Sequence, residues 1–170
     1  REIMAYTLEQ MADECRVALA SDSGAVGRNA VRQIVEKACQ DDAFVATHLG
    51  PDNDLPRQVL YENDELGFCI LVHVAAPETG LPHGHGPTWA IYGIAAGITE
   101  MTDWHCTEPP DGRTPGKVVK VKSYELPRGT AQLYNEGDLH SSRRENEVRM
   151  VRVEGKNLMG VRRPRYEAVA

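Results

Sequence analysis

The feature that most constrains this chain is a change of period at Pro51. Before it, apolar residues recur every three or four positions. After it, short runs rich in Val, Ile, Leu and aromatics alternate with Pro, Gly and Asp punctuation, which is the pattern of strands and turns. The runs predict strands at 58–61, 67–75, 89–94, 98–104, 117–126, 131–134 and 148–154, with a further one carrying His140. No unit of about 20–50 residues repeats, which excludes solenoids and propellers. At 170 residues the chain suits one domain with a real core. Its helical segment, residues 1–50, and its β region, residues 51–170, belong to that domain.

Within residues 1–50 two helices are predicted. Thr7 followed by Gln10 has the capping-box form, and Leu8, Met11, Ala12, Cys15 and Leu19 recur at helical spacing. A second helix, capped by Asp22 or Ser23, buries Val31, Ile34, Val35 and Ala38, and residues 41–50 add a last turn ending at Gly50.

A net charge of −6 disfavours a nucleic-acid partner, because phosphate binding needs a basic face. The one basic cluster, Arg162, Arg163 and Arg165, reads as a solvated tail. The longest apolar run falls well short of the ~20 residues a membrane helix needs, so no membrane is expected. Cys15, Cys39, Cys69 and Cys106 form no C-x-x-C pair, and the N-terminus shows no charged-then-apolar signal pattern. Both point to reduced thiols in the cytoplasm. Nothing in the sequence separates a monomer from a homo-oligomer.

Chemistry concentrates in LPHGHGPTWAIYGIAAGITEMTDW, residues 81–104. Histidines at i and i+2 of a strand project from one face, so His83 and His85 make a two-toothed metal grip. A third imidazole is available at His140, in NEGDLHSS, just past a Gly137–Asp138 turn and 55 residues after His85. His-x-His, a Gly-rich apolar strand pair and a later Gly-x-x-His together resemble the cupin barrel, a double-stranded β-helix. The resemblance implies that the N-terminal helices pack outside that barrel.

Most cupins carry a glutamate four or five positions after the second histidine, where this chain has Trp89 and Ala90. Three neutral imidazoles without a carboxylate are similar to the thiol dioxygenases, the cysteine dioxygenase and 3-mercaptopropionate dioxygenase group, which hold non-haem iron(II) with three histidines. In that group an upstream arginine binds the substrate carboxylate, and Arg57 stands at the matching place, 26 residues before His83. The resemblance covers roughly 57–158, including the GKNL ending at 155–158. It departs at Ala90, where some members form a cysteine–tyrosine thioether. It departs again at Met150, Arg152 and Glu154, where the family has Ser, His and Tyr.

The resemblance implies a metal-dependent dioxygenase that takes a small mercapto-carboxylic acid and O₂ to a sulfinate, with Fe(2+) on His83, His85 and His140. Replacing the carboxylate of the common facial triad by imidazole raises the charge of the site by one, which favours an anionic thiolate ligand. Arg57 would orient the substrate carboxylate, with Arg152 a rival anchor if its strand face is inward. Tyr92 would offer a hydroxyl beside the metal, although barrel packing is its plainer role, as it is for Trp89 and Tyr134. Zn(2+) or Ni(2+) suits the same imidazoles. A three-histidine zinc lyase or hydrolase, or a non-catalytic small-molecule-binding cupin, are the competing expectations. His73 reads as a core histidine, His48 and His105 as surface ones, and residues 108–116 as an exposed hairpin loop.

Overall fold

A computed structural model describes residues 5–169. Three helices precede the strands: α1 (Leu8–Ser21), α2 (Ala25–Gln40) and α3 (Asp42–His48). The Thr7 capping box forms in full, with reciprocal bonds between Thr7 and Gln10. Helix α2 departs from expectation at its start: its N-cap is Gly24, and the Asp22 carboxylate accepts a bond from the Gly24 N–H instead of capping the helix. Residues 42–48 form a separate helix, not a last turn, because Asp41 caps it through the Phe44 N–H at 2.8 Å.

Ten strands follow: β1 (Gln58–Glu62), β2 (Cys69–Ala75), β3 (Glu78–Thr79), β4 (Ala90–Ala96), β5 (Thr99–Glu108), β6 (Gly116–Leu126), β7 (Ala131–Tyr134), β8 (Leu139–Arg144), β9 (Val148–Glu154) and β10 (Tyr166–Ala168). They form two five-stranded sheets, ordered β1-β2-β9-β4-β7 and β10-β6-β5-β8-β3. Pairing is antiparallel except between β10 and β6. The two sheets face each other as a double-stranded β-helix, the expected barrel.

Strands β2, β4 and β9 are buried almost throughout, and the reason is that both faces of their sheet are covered. On the outer face, Ile70, Val72, Ile91, Val151 and Val153 pack with Met11, Cys15, Val31 and Val35 of the helices. On the inner face, Tyr92, Ile94, Met150, Met101 and Tyr134 fill the space between the sheets. Residue 93 must be glycine for the helix layer to seat. A Cβ there would lie 2.3 Å from Val35 Cγ1 and 2.8 Å from Cys39 Sγ, so α2 could not approach β4. The second sheet lacks such a cover, and β6 accordingly alternates buried and exposed positions at its start and then opens to solvent.

Candidate metal centre

The three predicted histidines meet between the sheets. His140 lies on β8 and is fully buried, His85 is buried, and His83 is partly so. Their nearest ring nitrogens all lie within 4.8 Å of one another, and among the described residues no other cluster of His, Cys, Asp and Glu has this metal-ready geometry.

His83 and His85 are not on a regular strand. Pro82 and Pro87 lack N–H donors and Gly86 takes φ 58°, so the segment cannot sustain a ladder. It holds one isolated bridge, in which the His83 and His140 backbones exchange two bonds of 2.9 Å. His83 lies four positions beyond Thr79 whereas its partner His140 lies only three before Arg143, so the edge beside β8 is bulged. Both rings reach His140 from this irregular segment.

His85 Nε2 and His140 Nε2 face each other at 3.2 Å. Tyr92 Oη completes a triangle, 2.8 Å from the first and 3.2 Å from the second. Nitrogens about 2.0–2.1 Å from one ion stand about 2.8–3.4 Å apart for right-angled to tetrahedral geometry, so the His85–His140 spacing fits a shared metal. His83 Nδ1 bonds the Leu81 carbonyl at 2.9 Å, which leaves its Nε2 lone pair free to bind.

The rings are held neutral. Burial pushes His85 down to about 2, aided by the Arg152 charge. Burial also drives His140 far below its ordinary value, with His83 and His85 acting in the same direction. His83 is lowered by burial as well, partly offset by its bond to Leu81. Three neutral imidazoles are the form a metal requires. Tyr134 stacks on the His140 ring at 3.9 Å, and its hydroxyl meets that of Tyr124 at 2.6 Å, so the His140 ring is held by packing within the sheet interior.

Tyr92, on β4, points inward and is raised in pKa by burial, against the opposing charge of Arg152, so its hydroxyl keeps its proton at neutral pH. Arg152 lies on the inner face of β9 with its guanidinium 4.1 Å above the Tyr92 ring. Arg57, just before β1, pairs with neither Asp54 nor Glu62. It reaches Glu154 Oε1 at 3.4 Å and Asn157 Oδ1 at 2.8 Å. Arg152 approaches the same Glu154 oxygen at 3.4 Å, so two guanidiniums share one carboxylate that is only 1% exposed. The Nε of each arginine is buried without a partner. The arginine rivals of the sequence reading therefore stand side by side at one mouth of the barrel.

Other expectations change or hold. Arg163 is not simply a solvated tail residue, because its Nη1 donates to the Gly84 carbonyl, between the two loop histidines, at 3.3 Å. Sequence reasoning missed it because nothing local marks a coil arginine 78 residues from His85 as a neighbour of that loop. His73 is buried, bonded through Nδ1 to the Pro56 carbonyl at 2.9 Å and lowered to about 3 chiefly by burial. His105 is exposed, His48 is half-buried against Phe44, and residues 108–116 make a hairpin tip closed by Asp111 and Thr114.

No protein-family model matches the sequence, and no curated protein does. Solved structures show partial similarity. A cupin superfamily protein from Desulfitobacterium hafniense is 14% identical, covering 57% of this chain and 72% of its own, with a TM-score of 0.40. A conserved protein with a double-stranded β-helix domain from Klebsiella pneumoniae is 18% identical, covering 65% and 80%, at 0.44. The cupin domain of Cnp3 from Schizosaccharomyces pombe is 12% identical, covering 64% and 68%, at 0.46. The two five-stranded sheets make this chain a double-stranded β-helix. Within it, this chain carries a three-histidine cluster able to hold a metal ion. Among the described residues no helix is long and apolar enough to cross a membrane.

Proposed function

We propose that the protein is a non-haem iron(II) dioxygenase that oxidises the thiol of a small mercapto-carboxylic acid to a sulfinate. The observation that carries this reading is the pairing of three neutral imidazoles, with no carboxylate among them, with two arginines at the same barrel mouth. Iron on His83, His85 and His140 would supply open positions at which thiolate and dioxygen meet. Both oxygen atoms of O₂ end on sulfur, and the thiol proton is released: R–SH + O₂ → R–SO₂⁻ + H⁺.

The chain's own groups prepare that encounter. Arg57 and Arg152 present guanidinium forks to the substrate carboxylate, bidentate pairing that fixes which end of the molecule faces the histidines. Tyr92 Oη, beside both Nε2 atoms, donates a hydrogen bond to a group bound there. The stacked Arg152 keeps that ring in place. Glu154, accepting from both, holds the two guanidiniums side by side.

The test is anaerobic iron loading of metal-free protein, followed by oxygen-uptake assays over small thiols with and without carboxylates. Uptake with a mercapto acid, and far less with a thiol lacking the acid, is expected. No uptake with any thiol overturns the reading. Retention of zinc without oxygen uptake would instead favour a zinc lyase or hydrolase.

A further inference from the structure

The C-terminal segment crosses the same barrel mouth. After β9 ends, Asn157 receives Arg57, and the Leu158 N–H donates to Glu154 Oε2 at 3.3 Å. Past Leu158 the chain reaches the loop between the histidines, where Arg163 donates to the Gly84 carbonyl, before Tyr166–Ala168 joins β6 as a parallel edge strand. The segment is therefore fastened at both ends and lies across the opening. Beneath it is a cavity of about 260 Å³, lined among others by Arg57, Arg152, Arg163, Glu154, Leu158 and Val161. That is below the about 300–1,000 Å³ of sites for drug-sized ligands, so the occupant is small.

Three guanidiniums line this cavity against one carboxylate, an excess of two positive charges. Arg57 and Arg152 already divide Glu154 between them, and among the described residues Arg163 has a backbone carbonyl and no acid partner. A substrate with one carboxylate answers only half of that excess.

We infer that Arg163 is a specificity-determining residue and that the substrate class is a thiol bearing two acid groups, one held by Arg57 and Arg152 and the other by Arg163. This rests on the reading of the site proposed above and narrows it.

The test uses two thiol-free probes of equal chain length, succinate and butyrate, titrated calorimetrically into iron-loaded protein under anaerobic conditions. Succinate is expected to bind at least tenfold more tightly, about 1.4 kcal/mol. Arg163→Gln should bring the two within threefold of each other, Arg163→Lys should restore part of the preference, and Arg143→Gln, an equal charge change at a remote exposed site, should leave it intact. Equal binding of both probes by the unaltered protein, no measurable binding of either, or a tenfold preference that survives Arg163→Gln each overturns the inference. Oxygen uptake with thiols keeps the two claims apart. A succinate preference without thiol oxidation sinks the dioxygenase reading and leaves the dianion site, whereas thiol oxidation without the preference does the reverse.

Discussion

Acidification should destabilise the metal-free protein steeply, and the size of the effect follows from its buried histidines. His73 and His85 sit at about 3 and about 2 in the folded chain, and burial drives His140 far below its ordinary value as well. In the unfolded chain each returns to about 6.5. A depressed folded value means that the stabilisation is present above pH 6.5, falls as the unfolded state takes up protons the folded state refuses, and stops falling only near the folded values. Each such group loses about 1.3 kcal/mol between pH 7.5 and 5.5, so the three together lose about 4 kcal/mol. For a chain of this size that is a fall in Tm of about 8–16 °C. Thermal and urea unfolding of chelator-treated protein at the two pH values would measure it. His73→Asn, which removes one titrating group away from the metal centre, should shrink the difference by about a third. A loss below about 1 kcal/mol, or higher stability at pH 5.5, would refute the claim that these rings are buried and neutral.

Other consequences are simpler to read. Glu154→Gln leaves two neighbouring guanidiniums without their shared charge and should cost about 2–3 kcal/mol, less than a fully buried broken pair because both arginines keep some solvent contact. Added succinate should return part of that stability, and an unchanged Tm would contradict the shared-carboxylate picture. Gly93→Ala should cost about 1–3 kcal/mol by forcing α2 off β4, seen as a Tm lowered by several degrees with little effect on metal content. Arg57→Ala should raise KM for a mercapto acid about tenfold or more while barely altering a thiol that lacks the acid, and a kcat loss with unchanged KM would argue against a carboxylate clamp.

Much of this architecture was legible in the sequence because its signals are local. The Thr7–Gln10 box, the apolar periods of α1 and α2 and the runs that became β7 and β9 each follow from residues a few positions apart. The short strands β3 and β10 were not legible: two or three residues of Glu, Thr, Tyr and Ala become strands only because a neighbouring edge accepts them. The meeting of His83, His85 and His140 is legible from their spacing, but the regular strand expected to carry the first two does not form. Two prolines and a positive-φ glycine break the strand, and the bulged edge replaces it. Arg163 and the division of Glu154 between Arg57 and Arg152 depend on contacts about 80–100 residues apart, which no periodicity encodes.

The central claim is that one ion sits among three imidazoles, and a metal titration of chelator-treated protein addresses it most directly. Anaerobic iron(II) should bind at one equivalent per chain, and His140→Ala or His85→Ala should weaken it at least 100-fold while the fold, read by circular dichroism, persists. Protein that retains no iron, or a pair of variants that bind it as tightly as the unaltered chain, would contradict the account.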